Sequence, residues 1–234
     1  MTRCGLLLCV LAAGCSGDDG MTAPDGPTVP AVLRCSGKAE SYSANGAVPL
    51  EGVRVGGYRS NDENTEVTFA ITGADGLYSV DIETGGQPLD GYFKATMSGY
   101  LDTYLYPDGP VKKDFAGARV AMITPDTFTL LTDTLCGANQ QAANAAIVAI
   151  VNDENDNPIA GATIGSTPAA TKYCYNVDGF PNRNGTQTAA DGIGYYLNVP
   201  AGKVTVSAVL PGVTLPSHPI LARAGVVTTT LIRP

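Results

Sequence analysis

The same punctuation occurs twice in this sequence, about 110 residues apart, a period that suits a repeated domain and not a solenoid. In the first copy, Pro49-Leu50-Glu51-Gly52-Val53-Arg54-Val55 enters an alternating run. Ala74-Asp75-Gly76-Leu77-Tyr78 turns into another, and Gly91-Tyr92-Phe93-Lys94-Ala95 opens a third. In the second copy the same parts fall to Pro158-Ile159-Ala160-Gly161-Ala162-Thr163-Ile164, Ala190-Asp191-Gly192-Ile193-Gly194-Tyr195 and Gly202-Lys203-Val204-Thr205-Val206. Asp-Gly supplies a turn residue at positive φ, and the β-branched or aromatic residues that follow at every second place face a core. A chain punctuated in this way folds as an all-β protein of two tandem antiparallel sandwiches.

Alternation predicts seven strands in each unit. In the first they lie at 33–40, 53–59, 66–72, 78–82, 92–97, 101–106 and 115–123. In the second they lie at 146–151, 162–165, 172–175, 194–198, 204–209, 219–222 and 226–232. Seven short strands separated by turn signals suit a sandwich. Between the units Thr124-Pro125-Asp126 has helix-start chemistry, Phe128, Leu131 and Leu135 share a face, and Gly137 can end the segment, so a short helix is expected there. The domain boundaries that follow are 33–123, a linker at 124–144, and 145–234.

Three of these elements resemble the carboxypeptidase regulatory-like domain family. They are Pro-(Leu/Ile)-x-Gly-(Val/Ala), a small residue with Asp-Gly before a strand, and Gly-x-(Val/Phe) opening the next strand. The resemblance implies a transthyretin-like, Greek-key, seven-strand sandwich in each unit, serving as a rigid spacer or binding module. Departures are the excursion Ser60-Asn61-Asp62-Glu63-Asn64, the Gly85-Gly86-Gln87-Pro88 turn and the insert from Asn176 to Thr188.

The amino terminus sets the compartment. Arg3 precedes an apolar run, Leu6 to Leu11, too short to span a bilayer, so residues 1–14 are expected to be an export signal. Leu11-Ala12-Ala13-Gly14-Cys15 resembles the lipobox of bacterial lipoproteins, which implies cleavage before Cys15 and lipidation of its thiol. Ser16 after the cysteine favours the outer membrane, with surface and periplasmic faces both open. Residues 15–32 are poor in burial-competent side chains and are expected to form a flexible tether. A net charge of -8 gives no footprint for nucleic acid.

Candidate chemistry is sparse, and neither a cofactor nor a metal is expected. His218 is the one histidine, with no Gly-x-Ser-x-Gly elbow anywhere, and Ser217 beside it points to the other side of an extended chain. Asp153-Glu154-Asn155-Asp156-Asn157 begins like a calcium loop, but Pro158 stands where glycine is required and Ile164 where a bidentate Glu is required. A hairpin turn is expected there, and also at Asn61-Asp62-Glu63-Asn64. Lys38 raises the thought of an intramolecular isopeptide bond, for which Asp114 is the one nearby partner on the last strand of the unit.

Tyr92, Tyr104 and Tyr106 in the first unit, and Tyr173, Tyr175, Tyr195 and Tyr196 around the second unit's insert, form a candidate binding face, set against burial in the sandwich cores. With Cys15 lipidated, Cys35, Cys136 and Cys174 remain for one disulfide in an oxidising compartment. A bond involving Cys136 is expected, with its mate left open.

The expected function is a non-catalytic cell-envelope lipoprotein, membrane-held by its amino terminus, that acts as a structural or binding module for an envelope protein or polysaccharide. The alternatives are an accessory protein of a secreted hydrolase, a cryptic hydrolase using His218, or a periplasmic assembly or transport subunit.

Overall fold

In the computed structural model, which describes residues 28–43 and 46–234, the chain is mostly β. The expected signal peptide, Cys15 and the tether as far as residue 27 lie outside the described residues. The first half of the chain forms β1 (Val32–Ser43), β2 (Gly46–Pro49), β3 (Arg54–Arg59), β4 (Asp62–Ile71), β5 (Leu77–Glu83), β6 (Gly91–Thr96), β7 (Thr103–Tyr106) and β8 (Phe115–Met122). The second half forms β9 (Asn144–Val151), β10 (Thr163–Thr167), β11 (Lys172–Val177), β12 (Phe180–Asn182), β13 (Ile193–Pro200), β14 (Gly202–Val209), β15 (His218–Ala222) and β16 (Val227–Ile232). Each expected strand is present with its ends shifted by a few residues. β2 and β12 are additions of four and three residues. The tether also ends earlier than expected. Ala31 O accepts a hydrogen bond from Thr84 N at 2.9 Å, and Val32 already pairs with Glu83, because alternation begins there.

Beyond the helical linker, the two strand sets share a sheet. Nine strands run in the order β12-β11-β13-β9-β16-β7-β6-β3-β4, and the halves meet where β16 pairs in parallel with β7, Val227 opposite Thr103 and Thr230 opposite Tyr106. A second sheet has β1 at its centre, with β2 and β5 on one edge and β8 in parallel on the other. The third is β10-β14-β15.

Successive residues of a strand point to opposite faces, so the shared sheet carries a core on each side. Val55, Ala95 and Leu105 pack with Ala39, Tyr78, Val120 and Met122 of the β1 sheet. Tyr104, Tyr106, Ile147, Ala149 and Tyr196 face the other way and pack with Ile164, Val204, Val206 and Ile220 of the β10-β14-β15 sheet. The two smaller sheets therefore cover opposite faces of the shared sheet, one at each end. Tyr196, Ile147 and Ile232 are fully buried, and burial of such side chains stabilises by about 1.5–3 kcal/mol each.

The duplicated punctuation builds the same hub in each set. Gly76 and Gly192 both adopt positive φ, and a Cβ on either would stand within 2.6 Å and 2.4 Å of Ala39 O and Val151 O. Those two carbonyls accept from Leu50 N and Ile159 N at 3.0 and 2.8 Å, which explains why the Pro-(Leu/Ile) and Asp-Gly segments recur together. Thr72 and Thr188 complete the hubs. Their hydroxyls accept from Val53 N and Ala162 N, each at 2.9 Å, and donate to Leu50 O and Ile159 O at 2.6 and 2.7 Å.

The linker forms α1 (Pro125–Thr129), capped by the Thr124 hydroxyl accepting from Thr127 N, and continues as one π-helical turn, Leu130–Leu135. Gly137 at φ 67° ends it, as its freedom at positive φ allows. Cys136 and Cys174 form a disulfide across a Cα separation of 5.7 Å and, with Phe128, Ala146 and Leu197, cover the face of the shared sheet opposite β10-β14-β15. Cys35 is a buried free thiol whose pKa is pushed up by burial.

Candidate functional site at the junction of the strand sets

Alternation on β6 and β7 puts Tyr92, Lys94, Tyr104 and Tyr106 on the face of the first set that turns away from its own core. Parallel pairing then lays Thr228 beside Tyr104 and Thr230 beside Tyr106. Tyr92 stacks on Tyr58 with centroids 5.5 Å apart and planes at 10°, and lies 5.7 Å from Tyr104 and 5.0 Å from Tyr106. Arg223, one residue past β15, extends its guanidinium 4.1 Å over the Tyr104 ring and 5.1 Å from that of Tyr92. It donates to Tyr106 Oη at 3.0 Å, to Leu221 O at 3.0 Å and to Glu63 Oε2 at 2.7 Å. Burial pushes the Tyr92 phenol up to about 12, so it stays neutral at ordinary pH.

A second arginine closes the other end of the junction. Arg233 grips Asp108 of the first set through two bonds at 3.0 and 3.1 Å and reaches Asp156 of the second at 2.7 Å. Paired donation of this kind fixes orientation as well as charge. Val227 N also donates to Asp102 O, whose carboxylate pairs with Lys94 at 3.0 Å.

These contacts correct the expected tyrosine face. Tyr92, Tyr104 and Tyr106 are buried, at 8% exposure or less, because the second set covers the outer face of the first, while Tyr175 and Tyr196 are buried in the second set's own core against the β10-β14-β15 sheet. Their phenols are spent inside: Tyr175 accepts from Ile164 N at 3.0 Å, and Tyr196 donates to Ser207 O at 3.0 Å. Tyr173 and Tyr195 are half-buried. Tyr173 Oη lies against Ser166 Oγ, and Tyr195 donates to Asn176 Oδ1 beside the disulfide.

His218 Nε2 lies 2.7 Å from Thr230 Oγ1, but Thr230 is fully buried, so this histidine–hydroxyl pair ties β15 to β16 and is closed to a substrate. Ser217 precedes that strand. Asp153 Oδ1 accepts from Asn155 N at 2.8 Å and Asn157 N at 2.9 Å, a self-satisfied turn, and no metal-ligand cluster occurs among the described residues. Lys38 and Asp114 are not brought together. The register sets Lys38 opposite Arg119, where it pairs with Glu40 at 2.9 Å, while Asp114 Oδ1 accepts from Arg34 N. The depression on that sheet, lined by Lys38, Leu77, Ser79 and Arg119, offers no unpaired cation, since Glu40 also takes Arg119 at 2.7 Å.

The outer face of β4 holds what the tyrosines do not. Val67, Phe69 and Ile71 project there at 41%, 53% and 52% exposure, with Arg54 3.7 Å over the Phe69 ring and paired to Glu66. Arg223, Arg233 and the hub threonines carry the junction and the folds, and none of them belongs to the candidate residues that the sequence offers. For the threonines a signal existed, since Thr-x-Ala-Asp-Gly recurs at 72–76 and 188–192.

No protein-family model matches the chain, and no curated protein matches it. Solved structures give distant superpositions. The Bacillus anthracis TIE protein is 13% identical over 86% of this chain at a TM-score of 0.27, and the chain spans 34% of that protein. The minor pilin GBS52 of Streptococcus agalactiae is 9% identical over 86% of this chain and 94% of its own, at 0.29. The shaft pilin SpaA of Lactobacillus rhamnosus GG is 11% identical over 87% and 98%, also at 0.29. Superposition at this level fixes neither topology nor activity.

Proposed function

We propose that the chain is a non-catalytic structural module of the bacterial cell envelope, a rigid spacer of two tandem carboxypeptidase regulatory-like sandwiches anchored through lipid on Cys15. The observation that carries this reading is the junction. A parallel strand pair, Arg223 over two tyrosines and Arg233 between Asp108 and Asp156 make one body of two units that a flexible linker alone would leave independent. Rigidity of that kind suits a spacer, because it holds whatever lies beyond it at a set distance from a surface.

The test is membrane fractionation with the intact mass of the mature protein and protease shaving of whole cells. A membrane-bound species with lipid mass on Cys15 is expected. A soluble, unlipidated product would overturn the anchor, while shaving separates the surface from the periplasmic face.

A second reading, binding of an envelope protein, is favoured by the Val67-Phe69-Ile71 stripe, since contiguous exposed apolar side chains mark interaction surfaces. The stripe continues, away from the junction, the same face that the second set already covers. Crosslinking in cells is expected to capture an envelope protein with the native chain and to lose it with Phe69→Ser. Unchanged capture removes this surface from the reading.

A further inference from the structure

We infer that the fold is arranged to carry tension along the chain. The chain enters the fold at Val32 and leaves it at Ile232, and at both points the strand concerned lies parallel to the strand at the opposite end of its own set. β1 runs parallel to β8, from Cys35 opposite Phe115 to Ser41 opposite Met122. β16 runs parallel to β9, from Val227 opposite Ala146 to Ile232 opposite Val151.

Direction decides how such a pair fails. In a parallel pair the amino end of one strand and the carboxyl end of the other lie at opposite ends of the ladder. A pull on the chain ahead of β1 against the chain behind β8 therefore slides one strand along the other, and the evenly spaced ladder bonds resist together. In an antiparallel terminal pair the two pulled ends would lie side by side, and the ladder would open one bond at a time.

The junction adds to this. β16 has β9 on one edge and β7 on the other, both parallel to it, so the strand from which the chain leaves is gripped along both edges. Load on β16 passes directly into β7 of the first set, in parallel with the connection at 123–143. That connection is itself fastened, by the Cys136–Cys174 disulfide, by Arg183 N donating to Leu135 O at 2.9 Å and by Gln141 N donating to Asn198 Oδ1 at 2.7 Å. The inference extends the spacer reading, but its readout is force on the purified chain. A failed membrane anchor in cells and a weak response to load are therefore separate results.

Single-molecule pulling on the full chain tests it, with an azide-bearing phenylalanine as attachment point in two geometries. Handles at Thr28 and Pro234 load the ladders lengthwise. Handles at the exposed positions Phe69 on β4 and Val177 on β11 pull across the strands of the shared sheet, and neither replaces a core residue. At equal loading rate the lengthwise geometry is expected to rupture at no less than about twofold higher force, because its ladder bonds are loaded together. Its records should also show no earlier low-force step. Rupture at or below the transverse force overturns the inference, and so does stripping of β1 or β16 ahead of the main event.

Discussion

Truncating Arg223 to alanine should loosen the junction measurably, and the size of the loss follows from what the guanidinium touches. It lies over Tyr104 and within reach of the Tyr92 face with only 19% of its side chain exposed, and a partly desolvated cation on an aromatic face contributes about 1–2 kcal/mol. Loss of its bond to Tyr106 Oη, at a buried residue, costs about 0.5–1.5 kcal/mol. The Glu63 partner is 42% exposed, so that ion pair adds little. Arg223→Ala should therefore destabilise by about 1.5–3.5 kcal/mol, which for a chain of this length lowers the melting temperature by about 3–14 °C. Arg223→Lys should recover part of the loss, because it keeps the charge without the planar fork. Denaturant titration gives the free energy, and amide exchange at Thr228–Thr230 gives the location, since those residues lie beside β7. A loss below about 0.5 kcal/mol, the scatter of ordinary surface substitutions, would refute the clasp. So would a full loss with protection at 228–230 unchanged, since the side chain would then be stabilising something else.

Four further outcomes are expected. Reducing the Cys136–Cys174 bond, which spans 38 residues, should cost about 4 kcal/mol at 25 °C, read as a lower melting temperature with reductant. Thr228 is fully buried with its hydroxyl unpartnered, so Thr228→Val should be neutral or stabilise by up to about 1 kcal/mol in denaturant titration, whereas a clear loss would mean the hydroxyl is used. Gly76→Ala and Gly192→Ala should each destabilise by more than about 1 kcal/mol in thermal melts, since φ is positive and the new Cβ meets a backbone carbonyl. Burial holds the His218 imidazole below its ordinary 6.5. The unfolded chain then takes up that proton first as pH falls, so this contribution is present above about pH 6.5 and lost progressively below it. His218→Asn should flatten that limb of the stability curve, while the limb at lower pH persists. There Glu40 acts with the opposite chemistry: Arg119 and Lys38 hold its carboxyl below the usual range, and its contribution disappears only once the pH drops past 4.5.

Local features were legible in the residues, and relations between distant segments were not. Alternation located the long strands, and Thr124-Pro125 located the start of α1, because both signals lie within a few neighbouring residues. Pairing of β7 with β16 joins residues more than a hundred positions apart, and nothing near either strand announces it. The tyrosines illustrate the consequence. Tyr92, Tyr104 and Tyr106 alternate correctly to lie on the outer face of the first set, which made a binding surface a fair expectation. Only the unforeseen shared sheet brings the second set over that face. Arg223 and Arg233 carried no motif, since an arginine becomes a clasp through partners supplied from across the junction.

β16 follows the other described strands along the chain, yet it occupies the middle of the widest sheet. During synthesis from the amino end, β7 therefore waits with one edge unpaired until Val227–Ile232 has emerged, and β9 waits with it. An open edge in a half-made sheet invites pairing with another chain. The order of arrival thus gives this protein an interval in which a chaperone, or fast delivery of β16, decides between a completed sheet and an aggregate.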